Sequence, residues 1–136
     1  MTNPQASFLP AIGRVLMATL FLVSGFGKVM APAATKGYIA SAGLPLPEVA
    51  YLGAVAVEVG LGLALLLGYR TRLVAALMAA FTVVTAIGFH ADFADGNQMN
   101  HFLKNIAISG GLLYVAAYGA TTFSLDALRA RRGNTA

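Results

Sequence analysis

The sequence predicts an all-α protein that is embedded in a membrane as a four-helix bundle with both termini in the cytoplasm. Of its 136 residues, 58% are hydrophobic and 10% are charged, and the mean hydropathy is +0.75. A soluble domain needs roughly 25% charged residues to cover its surface. Lipid must therefore be the solvent for most of this chain. The apolar residues are gathered into four stretches, and arginines follow the second and the fourth.

Each apolar stretch is long enough to be a transmembrane helix. A helix rises ~1.5 Å per residue, so about 18–23 residues cross a ~30 Å hydrocarbon core. We predict helices over about residues 8–30, 47–67, 72–89 and 100–121. The segment 31–43 is apolar and contains Tyr38, which is typical of a short amphipathic helix at the outer membrane interface. The length suits a single domain, residues 1–136.

The basic residues predict the orientation of the bundle. Arg70 and Arg72 lie in the turn between the second and third helices, and three further arginines lie in the C-terminal tail. Four spans place both groups on the side of the N-terminus, so we expect this side to be the cytoplasm. The expected location is the inner (cytoplasmic) membrane, which the chain crosses several times. The lipid bilayer is the expected partner. No basic stripe is present, so no nucleic-acid partner is predicted.

Four ionisable residues lie inside the predicted spans: Arg14, Lys28, Glu58 and Lys104. A charge facing lipid at the bilayer centre costs ~2.5–3.5 kcal/mol, so these side chains should face the bundle interior or reach a headgroup region. Glu58 is the one acid of the spans and lies near mid-membrane. We predict that it forms an ion pair with Lys28 or Lys104, with Arg14 as the next choice. One face of the first helix carries Arg14, Ala18, Phe21, Gly25 and Lys28.

A second polar group is predicted at the outer end of the bundle, where the fourth helix begins and the third ends. Three cations against one anion favour an anionic or carbonyl-bearing ligand, such as a quinone head group or a lipid phosphate. In the alternative, the lysines reach the headgroups separately and Glu58 forms a purely structural pair. The candidate ligand-binding residues are Lys28, Glu58, His90, His101, Lys104 and Asn105.

Several kinds of chemistry find no support in the sequence. The chain has no cysteine, which excludes thiolate catalysis and disulfides within it. The spacing of its histidines and aspartates matches no known metal-ligand pattern, so no metal site is predicted. No flavin motif or haem-ligand pair is present either. Catalytic residues therefore stay unassigned, and a quinone is the one cofactor that the polar cluster suggests.

Short motifs along the chain carry a resemblance to a known family. In order they are Gly13-Arg14, residues 21–28, Gly43-Leu44-Pro45, residues 58–62, residues 68–72, His90, residues 97–107 and Ser124-Leu125-Asp126. In this order and spacing the chain resembles the DoxX family of small four-helix membrane proteins. That family takes its name from a membrane subunit associated with a thiosulfate–quinone oxidoreductase. The resemblance implies a shared role for Arg14, Lys28, Glu58, His101, Lys104 and Asn105.

Three functions fit these observations. The first is a quinone-linked subunit of a membrane redox complex, in which Glu58 moves protons. The second is a non-enzymatic scaffold or assembly factor that binds a membrane partner protein or another copy of itself. The third is a pathway for protons or small solutes through the bundle. Whether the chain is an enzyme is left open by its sequence.

Overall fold

The structure, a computed structural model, describes residues 8–133 and is helical throughout its regular elements. Four long helices are α1 (Phe8–Met30), α3 (Pro47–Leu67), α4 (Thr71–Phe89) and α5 (Gly96–Tyr118). Two short helices are α2 (Pro32–Ser41) and α6 (Leu125–Gly133). The all-α prediction is therefore confirmed. The predicted cytoplasmic location of both termini concerns residues 1–7 and 134–136, which lie outside the described residues.

Three of these helices, within residues 8–133, are both long and apolar enough to cross a membrane: α1, α3 and α4. Helix α5 has 23 residues, but the polar residues of its first half lower its hydropathy. Its bounds also differ from the predicted 100–121. The Asp95 side chain accepts a hydrogen bond from the Asn97 backbone N–H at 2.8 Å, which starts the helix earlier. Gly119, at φ +78°, ends it at Tyr118.

The core lies where α1, α3, α4 and α5 meet. Leu65, Met78 and Leu112 are fully buried there. Helices α4 and α5 pack along each other, and the Ser109 hydroxyl of α5 donates to the Ala79 carbonyl of α4 at 3.1 Å. The predicted inner face of α1 is confirmed, since its buried residues are Arg14, Ala18, Phe21 and Gly25.

Helix α6 fastens the C-terminal segment to the turn between α3 and α4. Asp126 accepts hydrogen bonds from the backbone N–H groups of Arg70 and Thr71, both at 2.8 Å, and from the Thr71 hydroxyl at 2.7 Å. It therefore caps α4 from a distant part of the chain. Burial raises the pKa of Asp126, but the hydrogen bonds from Thr71 and Arg70 and the nearby Arg129 charge lower it below its ordinary value. The sequence did not predict α6.

The start of α1 lies at the same end of the molecule as this turn. The Phe8 ring stacks on the Phe123 ring with centroids 5.0 Å apart. Arg14, one to two turns further along α1, donates to the Phe123 carbonyl at 2.6 Å. The residues around Lys28 and those around His90 are consequently at the opposite end.

Candidate functional site

A cavity of about 590 Å³ lies at the end of the bundle opposite α6. Most of its wall is apolar, with side chains from α1, α3, α4 and α5, and α2 lies against it through Tyr38 and Ile39. The Tyr38 ring stacks on Phe89 at the end of α4, with centroids 5.3 Å apart. Six of the polar residues in the wall are Lys28, Glu58, His90, His101, Lys104 and Asn105. These six are the residues predicted from the sequence to form a ligand site, and their function stays a prediction.

Glu58 and Lys28 form an ion pair in the wall of this cavity. The Lys28 Nζ lies 2.7 Å and 2.9 Å from the two carboxylate oxygens of Glu58, and 2.9 Å from the Ser24 hydroxyl. An ammonium has three donors, so each has a partner within the protein. The Glu58 side chain is 8% exposed and that of Lys28 is 27% exposed. The pair therefore neutralises both charges and leaves Lys28 no spare donor for a ligand.

Glu58 lies in an irregular part of α3. Residues Ala56–Leu61 form a π-helical segment, in which one extra residue is accommodated in the turn. Gly25 of α1 packs directly on this segment. A Cβ at Gly25 would lie 2.7 Å from Val59 Cγ2 and 3.0 Å from Glu58 Cβ, so only glycine permits this approach. The close approach brings Glu58 within reach of Lys28, one turn further along α1.

The donors that remain available belong to α5. The Lys104 Nζ donates to His101 Nδ1 at 3.2 Å, which leaves two of its three donors. Because an ammonium cannot accept, Nδ1 of His101 is the acceptor and Nε2 carries the proton of the neutral ring. The Asn105 amide makes no hydrogen bond to any residue between 8 and 133. The His90 ring stacks on His101, with centroids 5.0 Å apart.

The other two predicted partners of Glu58 lie elsewhere. Arg14 is buried at the α6 end and bonds the Phe123 carbonyl, while Lys104 bonds His101. The expected excess of cations is thereby reduced at the cavity. Lys28 is neutralised by Glu58 and Arg14 is remote, so among residues 8–133 Lys104 is the one lysine or arginine of the cavity wall without a carboxylate partner.

Two polar residues of the site were not singled out in the sequence. Ser24 precedes Lys28 by four residues, and this helical spacing is the signal that would have identified it as a partner of Lys28. Gln98 orients His90, with its Oε1 2.8 Å from Nδ1 of that ring. This contact spans the loop between α4 and α5, and no spacing rule anticipates it.

The fold and this site define a small multi-pass membrane protein with a cavity between its helices. The DoxX family model matches residues 9–91, and the chain belongs to the DoxX family. It is 42% identical to the inner membrane protein YqjF of Escherichia coli strain K12 over 120 residues, which cover 86% of this chain and 88% of that protein. It is 38% identical over 120 residues to the inner membrane protein YphA of the same organism, covering 85% and 86%. No solved structure matches the chain. The protein is accordingly one of the inner membrane.

Proposed function

We propose that this protein binds a quinone in its cavity and acts as a quinone-linked subunit of a membrane redox complex. The observation that carries the proposal is the combination of a largely apolar cavity of about 590 Å³ with unused donors on one wall. This volume lies within the ~300–1,000 Å³ of ligand pockets, which are usually apolar with a few placed polar groups. The chain has no cysteine for thiol redox chemistry, and in this proposal a partner protein supplies the electrons.

The head group of the quinone is assigned to the α5 wall. Carbonyl oxygens need donors, and Lys104 and Asn105 have donors to spare whereas Lys28 has none. The Nε2 proton of His101 is a third donor. The isoprenoid or alkyl part fits the apolar wall. Leu20 and Val84 line the cavity and are also exposed, Val84 by 66%, which supports entry sideways from the lipid.

Binding of a short-chain quinone analogue to the purified protein tests this assignment. Lys104→Met and Asn105→Leu should each weaken binding, Lys104→Met by roughly tenfold or more because a hydrogen bond from a charged donor is lost. Lys36→Met is the matched control, since Lys36 bonds Glu48 on the surface and does not line the cavity. Equal binding by all four proteins, or none by the wild type, would contradict the quinone assignment.

A scaffold or assembly function is the second candidate, and one observation favours it. The Lys28–Glu58 pair joins α1 to α3 with every donor of Lys28 satisfied, so these two charges need no ligand to balance them. In that case the partner is another membrane protein or a second copy of the chain. Absence of quinone binding, together with a protein retained through native purification, would support this function.

The proposed topology is four transmembrane helices, α1, α3, α4 and α5, with both termini cytoplasmic. It is supported by the contacts at one end of the molecule, where the start of α1, the α3–α4 turn and α6 meet. Residues 8–133, whose first helix starts at the face where α6 lies, would then cross the membrane an even number of times. Three of the polar residues that lower the hydropathy of α5, His101, Lys104 and Asn105, line the cavity. Under this topology, the cavity opens toward the outer leaflet.

Reporter fusions test the topology. Fusions after Gly43 and Gly96 should report the outside, and a fusion after Tyr69 should report the cytoplasm, because arginines flank that turn. A reversed result at two of the three positions would end this topology.

A further inference from the structure

Helix α6 has an exposed apolar side and a basic C-terminal half that the proposed function does not use. Leu125 and Leu128 are 37% and 51% exposed. Three arginines follow them in the helix: Arg129, Arg131 and Arg132. A helix that exposes leucines beside arginines is typical of the membrane interface, where its apolar side enters the acyl boundary.

The position of α6 agrees with an interfacial location. Its Asp126 bonds the first residues of α4, and its backbone N–H donates to the Gly68 carbonyl at 3.0 Å. Gly68 directly follows α3, which ends at Leu67, and α4 begins at Thr71. Both helices are able to cross the membrane. Helix α6 is therefore held at the depth where the hydrocarbon core gives way to headgroups.

A recess of about 260 Å³ lies between α6 and the α3–α4 turn. It is lined by Tyr69, Leu125, Leu128, Arg129 and Arg132. The Arg129 guanidinium lies 5.4 Å from the centroid of the Tyr69 ring, which holds it against the wall by a cation–π contact. The recess thus combines an apolar and aromatic surface with two guanidinium groups.

We infer that this recess binds one anionic membrane phospholipid, with its phosphate on Arg129 and Arg132 and its glycerol and first acyl carbons on Tyr69, Leu125 and Leu128. Guanidinium groups match phosphate oxygens in pairs. The leucines and the tyrosine explain why the occupant is a lipid: a free phosphate has nothing to place on them. The inference is independent of the quinone proposal, since the recess and the cavity lie at opposite ends of the molecule.

Thermal unfolding of the purified protein in mixed micelles tests the inference. Phosphatidylglycerol titrated into the micelles should raise the unfolding midpoint, and phosphatidylcholine should not. R129Q should weaken the apparent affinity for phosphatidylglycerol roughly tenfold, the loss expected for one hydrogen bond to a charged group. R131Q is the matched control: it removes the same charge from the same helix, but Arg131 does not line the recess, so a loss of about threefold or less is expected.

Two further arms keep the test decisive. R129K keeps the charge and the cation–π contact but loses the paired donors, so it should fold and still bind phosphatidylglycerol more weakly than the wild type. Inorganic phosphate at millimolar concentration should leave the midpoint unchanged. Equal losses in R129Q and R131Q, wild-type affinity in R129K, equal stabilisation by phosphatidylcholine, or stabilisation by phosphate alone would each overturn the inference.

Discussion

Separating Lys28 from Glu58 should destabilise the protein in an unequal way, because the two partners are buried to different extents. Lys28→Met strands a carboxylate whose side chain is 8% exposed, while Glu58→Ala strands an ammonium whose side chain is 27% exposed and still bonds Ser24. Removing one partner of a buried pair costs ~3–5 kcal/mol. We expect Lys28→Met to fall in that range and Glu58→Ala to cost about 2–3 kcal/mol, because Lys28 can recover part of its hydration.

The double variant identifies the interaction itself. Replacing both partners with apolar side chains of similar size leaves no stranded charge and is often nearly neutral. The combination of Lys28→Met and Glu58→Leu should therefore cost about 1 kcal/mol or less, far below the sum of the single effects. Glu58→Gln, which keeps one acceptor oxygen, should cost about 1–2 kcal/mol.

The free energies of unfolding are measured by denaturation in detergent micelles with increasing sodium dodecyl sulfate, the fold being followed by circular dichroism. Lys28→Met, Glu58→Leu and the variant that combines them form a cycle whose interaction term should be at least about 2 kcal/mol. Glu58→Leu alone should cost about as much as Glu58→Ala, because it strands the same ammonium. Single effects that add up in the double variant would refute the reasoning, since they would mean that the two charges act separately.

Two further predictions concern the end of the molecule near α6. Gly68→Ala should lower the free energy of unfolding by at least about 2 kcal/mol, because Gly68 has φ +67° and a Cβ there would overlap the Arg14 guanidinium. Gly27→Ala is the control, since a Cβ at Gly27 meets open space. In the same unfolding measurement it should be neutral or stabilising by up to ~1 kcal/mol. Burial raises the pKa of Asp126, but the hydrogen bonds from Thr71 and Arg70 and the Arg129 charge together lower it by more, so its net pKa is below the ordinary value. The stabilising effect of the Asp126 carboxylate is therefore complete above the unfolded-state pKa and is lost as the pH falls through the folded-state pKa. The unfolding midpoints of wild type and Asp126→Ala should therefore differ at pH 7 and converge in acid, and a gap that is independent of pH would contradict this.

Features that depend on local pattern could be predicted from the sequence. The long helices follow from hydropathy, and the buried face of α1 follows from the 100° step of a helix, since Arg14, Ala18, Phe21 and Gly25 lie on it as expected. The meeting of Lys28 and Glu58 was one of three open alternatives. Which basic residue pairs with Glu58 depends on the Gly25 contact, because this contact brings α1 onto α3 at the depth of Lys28.

Features that depend on long-range contacts could not be predicted. The π-helical segment around Glu58 adds a residue to one turn, so the helical phase before Ala56 does not continue after Leu61. Nothing in the residue pattern marks this insertion. Likewise, the cap that Asp126 provides for Thr71 joins residues 55 positions apart. Helical spacing relates only residues a few positions apart, so it cannot predict a contact between residues so distant in sequence.

The fastening of α6 has a consequence for the order in which the protein matures. Arg14 leaves the ribosome 109 residues before the Phe123 carbonyl to which it donates, and Thr71 leaves it 55 residues before the Asp126 carboxylate that caps it. Helices that insert into the membrane during synthesis are therefore at first incomplete. Arg14 has no carbonyl partner and the start of α4 has no cap until the later residues are made. Closure of the bundle at this end therefore follows the synthesis of residues 123–126, whose groups complete it.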